Sequence, residues 1–185
     1  MHGTVFGELK QYVGTRLGPT AWNELLENAA IGPKIYLAIQ EYPDEELGAI
    51  LHAASKRSGL TPAQLLQDFG DFIGPHLMRM YRMYIQPEWR TLDVIEHTEE
   101  RIHKMVRLQQ RGARPPYLST TRRGEDEIVI HYASNRRLCG FAKGIALGIA
   151  RHYGETIEIR DLSCMHRGAE TCEILVRCVH ARAAG

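Results

Sequence analysis

The spacing of apolar residues changes once along this chain, and that change limits the folds open to it. Up to roughly residue 120 apolar side chains recur at helical intervals; beyond it they recur at every second position, interrupted by one further helix. Val5, Phe6, Leu9, Tyr12, Val13 and Leu17 mark a first helix, which Gly18-Pro19 stops. PTAWNELLENAAIG (19–32) reads as a second, with Thr20 as its cap and Gly32 as its stop. DEELGAILHAASKRSG (44–59) and TPAQLLQDFGDFIGPHLMRMYRMY (61–84) are two more, the latter opened by Thr61-Pro62. In the second half EIVIHYAS (127–134) reads as a strand, LCGFAKGIALGIARHYG (138–154) as a helix ended by Gly154, and ETIEIRDLSC (155–164) and ETCEILVRCV (170–179) as strands. Helices followed by strand, helix, strand and strand give an α+β fold. The expected division is an N-terminal helical subdomain over about residues 1–62 and a second over about 63–185 that carries a small, largely antiparallel sheet.

With 185 residues, no internal repeat and no long linker, the chain reads as a single unit able to bury a core with room for a ligand. A formal net charge of +1 gives no broad electrostatic footprint for nucleic acid or an anionic membrane. No apolar run reaches the length of a membrane span, and MHGTVFGELKQYVG lacks the pattern of a signal peptide, so the expected location is the cytoplasm. Four cysteines in that compartment read as thiols or metal ligands rather than disulfides.

Two segments carry chemistry. Residues 91–111 form a helix with Leu92, Ile95, Ile102, Met105 and Val106 as its apolar stripe and Glu96, Glu100, Lys104 and Arg107 on a solvated face, with a Glu100/Lys104 pair. Of its two histidines, His97 falls nearly opposite the stripe and His103 on its edge, so only His103 can point inward. An inward histidine is either a satisfied core residue or a ligand. In IVIHYASNRRL (128–138), Tyr132, Ser134 and Arg136 follow Ile128 and Ile130 at alternate positions of a strand. Either the strand runs out into solvent, or a phenol, a hydroxyl and a guanidinium form a donor row for carboxylate or phosphate oxygens. Together with an inward imidazole, the second reading suits protohaem, which needs an axial nitrogen and partners for two propionates.

In these residues the chain resembles the haem-nitric oxide/oxygen-binding (H-NOX) family, related to the sensor domain of soluble guanylate cyclase. The resemblance spans nearly the whole sequence: MHGTVFGEL at the start, Ala21-Trp22, Phe69-Gly70, Ile102-His103, Pro115 to Tyr117, and Tyr-x-Ser-x-Arg followed by GFAKGIALGIA. It implies a fold enclosing a haem pocket, with ferrous haem b as cofactor, His103 as the proximal iron ligand, and Tyr132, Ser134 and Arg136 binding the propionates. Pro115 and Pro116 would sit against the macrocycle and press it out of plane; alternatively they only stiffen a connection. The sequence holds no C-x-x-C-H, which excludes covalent c-type attachment.

Family members that hold oxygen have a distal tyrosine five residues after the motif arginine, and here that position is Phe141. Val5, Leu9 and Ile73, the other expected distal positions, are apolar too. Without a donor to stabilise dioxygen, the resemblance implies a sensor selective for NO that also binds CO, in which NO weakens the iron–histidine bond and frees the helix bearing His103. It implies a bacterial signalling protein, not an enzyme, whose partner is a sensor histidine kinase or a cyclic-di-GMP enzyme. Consistent with that, no nucleophile elbow, P-loop or kinase signature occurs.

Cys139, Cys164, Cys172 and Cys178 lie near the C-terminus without zinc-finger spacing. Some H-NOX relatives bind zinc through three cysteines and a histidine, and Cys139, Cys164 and Cys172 match that arrangement, but the histidine position is Asp161. Asp161, His166 or Cys178 would be the fourth ligand, or there is no metal. The competing function is therefore a zinc and thiol redox module that works without haem.

Overall fold

The computed structural model describes residues 1–109 and 112–179. Four helices come first: α1 (Gly3–Leu17), α2 (Ala21–Asn28), α3 (Asp44–Ser58) and α4 (Pro62–Met80). Thr61 closes a full capping box with Gln64, and Pro62 occupies the first turn, where its missing N–H costs nothing. Such a cap contributes about 1 kcal/mol. Thr20 makes no such cap: its hydroxyl turns to the Glu24 carboxylate, and α2 ends at Asn28, before Gly32.

The helix expected over 91–111 is three pieces: α5 (Thr91–His97), a π-helical turn (Thr98–His103) and α6 (Lys104–Gln109), with 110–111 outside the described residues. The wider π turn changes the phase of everything after it. His97, in the last turn of α5 and so before the π turn, stacks on Trp89, ring centroids 4.4 Å apart, instead of lying on a solvated face. The expected Glu100/Lys104 pair gives way to Glu99, which binds His103 and Arg107.

The second half forms one antiparallel sheet in the order β1-β2-β4-β3, from β1 (Tyr117–Arg122), β2 (Glu127–Ala133), β3 (Ile157–Ser163) and β4 (Cys172–Cys178), with α7 (Cys139–Tyr153) between β2 and β3. Strand β1 has no counterpart among the sequence expectations. Leu118 is its only aliphatic residue, and it lies at the sheet edge, exposed or half-buried throughout, so no apolar alternation marks it.

Two cores result. One holds α1, α2, α3 and the first half of α4, with Phe6, Leu9, Trp22, Leu25, Ile50 and Phe69 inside; the other packs α5 and α7 against the sheet. Helix α4 belongs to both, contributing Phe69 and Ile73 to the first and Met78 to the second. The joint between them is the α4–α7 crossing, made through Gly70 and Gly74 on one helix and Gly140, Gly144 and Gly148 on the other. A Cβ at Gly144 would stand 2.0 Å from the carbonyl oxygen of Gln67, and one at Gly70 would stand 2.4 Å from that of Phe141. Backbone meets backbone there, and only glycine allows it.

Candidate functional site

Between the two cores lies a cavity of about 290 Å³, walled by α1, α4, the α5–α6 segment, the prolines before β1, strand β2 and α7. Most of its wall is aliphatic, and two groups of polar side chains on it are built for binding chemistry.

The first is His103, at the end of the π turn. Its Nδ1 lies 3.0 Å from Oε2 of Glu99, four residues earlier and therefore on the same face. Burial opposes ionisation of Glu99, but hydrogen bonds from Arg107 and His103 outweigh it and hold the carboxyl below its ordinary value. Glu99 is thus an anion, and an anion can only accept, so the proton of a neutral His103 sits on Nδ1 and Nε2 keeps its lone pair. Burial also lowers the pKa of His103 against the pull of Glu99, which favours that neutral form. An imidazole oriented by a carboxylate on its other nitrogen is the arrangement that metal-ligating histidines use. Pro115 and Pro116 line the cavity beside it, and the Pro116 carbonyl accepts from Arg107.

The second is the end of β2. Ile128, Ile130 and Tyr132 are buried on one face as the alternation required, but the strand stops at Ala133 and a turn carries Ser134 and Arg136 to the cavity. Arg137, with φ of 52°, closes that turn through a hydrogen bond from its N–H to the Ser134 carbonyl. Tyr132 is 2% exposed and its hydroxyl accepts from the Leu138 N–H at 3.1 Å, which leaves its own proton to donate. Burial raises its pKa, partly offset by the Ser134 hydroxyl and the Leu138 amide. Arg136 spends two of its five donors on Asp44 Oδ2, at 2.7 Å, and on the Arg114 carbonyl, at 2.6 Å. Asp44 also meets the N-terminal ammonium of Met1 at 2.6 Å, so the chain's first residue belongs to this end of the cavity.

Val5, Ile73 and Phe141 line the cavity as expected, with Leu77, Ile145 and Ile149. Leu9 does not: it is 1% exposed inside the helical core, because it sits one position past the cavity-facing row of Val5 and Glu8 on α1. The wall is also not apolar throughout, since Thr4, Glu8, Tyr81 and Thr98 share it. Thr4 and Thr98 donate their hydroxyls to the Ala38 and Val94 carbonyls. Glu99, Asp44, the Met1 ammonium and Glu8 were not anticipated from the sequence. Only Glu99 carried a signal there, its i,i+4 spacing from His103.

Cys139, Cys164 and Cys172 do come together, all three sulfurs within 4.8 Å, and among the described residues no fourth metal-ligating side chain joins them. Asp161 is turned to Lys143, 3.1 Å away, and to Arg167. The Nε2 of His166 is bonded to the Arg137 carbonyl at 2.8 Å. Cys178 ends β4, six residues from Cys172, so it is too far along the strand to reach the cluster. Burial and the neighbouring sulfurs push the Cys139 thiol up to about 12, while at Cys164 burial is outweighed by hydrogen bonds from the His166 amide and the neighbouring thiols, which hold that thiol below its ordinary value. The residues present do not fit a closed zinc site.

They do fit haem. A mostly aliphatic slot with one carboxylate-oriented imidazole on its wall and a guanidinium, a phenol and a hydroxyl at one end has the donor set of a protein that holds a porphyrin by one axial nitrogen and its two propionates. Family comparison agrees: the model described as Haem-NO-binding matches residues 2–161, and the chain belongs to that family, the H-NOX domains, which are haem-binding gas sensors. A crystal structure of an H-NOX protein from S. oneidensis in the Fe(II)NO state has a TM-score of 0.89 at 26% identity over 97% of this chain and 100% of that one. An NMR structure of an H-NOX domain from Shewanella oneidensis in the Fe(II)CO state gives 0.86 at 27% identity over 98% and 100%. A T. tengcongensis H-NOX variant, at 17% identity and TM-score 0.84 over 99% and 100%, shares the fold. Comparison with curated protein sequences gives no match.

Proposed function

We propose that this domain is a cytoplasmic sensor selective for NO and CO over dioxygen, with haem b held by His103 and by Tyr132, Ser134 and Arg136. When bound, ferrous haem supplies an iron that takes diatomic gases as ligands. His103 offers Nε2 to that iron, and Glu99 fixes the tautomer and the plane of the ring. Arg136 and Tyr132 meet the propionates with charge-assisted bonds, on the order of 1.5–3 kcal/mol each, and Asp44 orients the guanidinium. Val5, Ile73 and Phe141 exclude water from the gas side. No helix among the described residues is long and apolar enough to cross a membrane, which is compatible with the proposed location.

The observation that carries the selectivity is Phe141 on the cavity wall, where an oxygen-holding pocket needs a hydrogen-bond donor. Output is proposed to travel through Glu99, which touches three groups at once: His103 in its own π turn, Arg107 in α6, and the start of β1 through the Leu118 N–H. Releasing His103 frees that junction for a signalling partner, for which the family likeness suggests a sensor histidine kinase or a cyclic-di-GMP enzyme. The test is anaerobic absorption spectroscopy of the reduced, haem-loaded protein. NO and CO complexes should form and a stable oxygen complex should not, whereas Phe141→Tyr should strengthen oxygen binding by about tenfold, the worth of one good hydrogen bond. A stable oxygen complex of the unaltered protein would refute the selectivity.

A further inference from the structure

Glu8 is the one acidic side chain on the cavity wall among the described residues, and it is 8% exposed. Buried carboxylates are rare without a partner, and this one has a single hydrogen-bonding neighbour: Nδ1 of His76 lies 2.9 Å from Oε2. The pair joins the two helices of the gas-side wall. Glu8 lies one turn beyond Val5 on α1 and lines the cavity with it, while His76, one turn beyond Ile73 on α4, holds the carboxylate from outside the lining. At ~1.5 Å per residue Glu8 stands roughly 7 Å along α1 from the helix start at Gly3, away from the cationic end built by Arg136 and the ammonium. The cavity therefore has a positive end for a bound carboxylate and, apart from it, one carboxylate on its own wall, Glu99 standing behind His103. His76 is more than a third exposed, and its half of the pair keeps water contact while the carboxylate faces inward.

We propose that Glu8 is a specificity-determining residue: its carboxylate, held in place by His76, biases the gas site against ligands that are anionic or gather negative charge, and leaves neutral diatomics unaffected. The reasoning is Coulombic. A unit charge roughly 10 Å from a ligand, at an effective dielectric constant of about 20, changes the affinity of an anion by about tenfold or more and that of a neutral molecule hardly at all. This complements Phe141: one position withholds a donor, and the other supplies a repulsion. The inference rests on the proposed haem site.

The experiment measures cyanide affinity of the ferric protein and CO affinity of the ferrous protein in the unaltered chain, in Glu8→Gln and in Glu8→Leu, alongside the ferric/ferrous midpoint potential. Glu8→Gln keeps the shape and a hydrogen bond to His76, and Glu8→Leu serves if the amide packs badly. The ratio of cyanide to CO affinity should rise about tenfold in both variants. Their midpoint potential should rise as well, because removing a negative charge disfavours the more positive ferric state. An unchanged ratio and potential in variants that bind CO normally would overturn the role of Glu8 and leave the haem site standing. An unaltered protein that takes up no haem and shows no CO spectrum would instead overturn the haem reading, and this inference with it.

Discussion

The cavity and the three-thiol cluster are built from the same pieces, yet they differ in how their polar side chains are aimed. Tyr132 of β2 pairs in the sheet with Cys172 of β4, and the first turn of α7 supplies both Cys139 and Phe141. In the cavity every functional side chain is aimed by a second group: His103 by Glu99, Arg136 by Asp44, Tyr132 by the Leu138 amide. Around the thiols the candidates for a fourth ligand are aimed elsewhere, Asp161 at Lys143 and His166 at a backbone carbonyl. Nearness of ligand atoms is common in a packed interior; orientation by a committed partner distinguishes a binding site from a cluster.

The comparison can be broken hardest at the joint both regions share. Gly144→Leu drives a side chain into the Gln67 carbonyl and should cost about 3 kcal/mol or more, seen as a large drop in the urea midpoint, with haem uptake lost together with the burial of the thiols. If only one region failed, the α4–α7 crossing would not be their common support. A converse change sharpens the contrast. Asp161→His removes the partner of Lys143 and adds the nitrogen that three thiols lack, so it should convert a chain that retains no zinc after dialysis into one that holds one zinc per chain by metal analysis. Failure to gain metal would mean that packing, not the missing ligand, closes the cluster. A smaller effect is expected from Arg136→Ala, which should weaken haem retention by roughly 2 kcal/mol, about 30-fold in transfer to an acceptor haem protein, without altering thiol reactivity.

The same contrast explains what the sequence could reveal. Helical periodicity located α1, α3 and α4 closely, and the family resemblance picked out His103, Tyr132, Ser134 and Arg136, all of which line the cavity. Strand β1 escaped because a polar edge strand has no apolar alternation to read. Leu9 was misplaced because one helical position decides between core and cavity, and no spacing rule resolves 100° of rotation against an unknown neighbour. The π turn was illegible for a related reason: TEERIH is ordinary helical sequence, and its widening shows only in three dimensions. Asp44 and the Met1 ammonium meet Arg136 from far along the chain, which no local pattern encodes. The glycines at four-residue spacing in GFAKGIALGIA were visible, and their meaning as a helix-crossing surface became clear only with Gly70 and Gly74 opposite them.

The central claim is that His103, oriented by Glu99, offers its second nitrogen to a haem iron. The most direct measurement is the anaerobic absorption spectrum of reduced, haem-loaded His103→Gly beside the unaltered protein, with and without added imidazole. The account predicts a five-coordinate ferrous spectrum for the unaltered protein, its loss in the variant and its return when free imidazole fills the vacated place. A variant spectrum identical to that of the unaltered protein before any imidazole is added would contradict it, because some other residue would then be holding the iron.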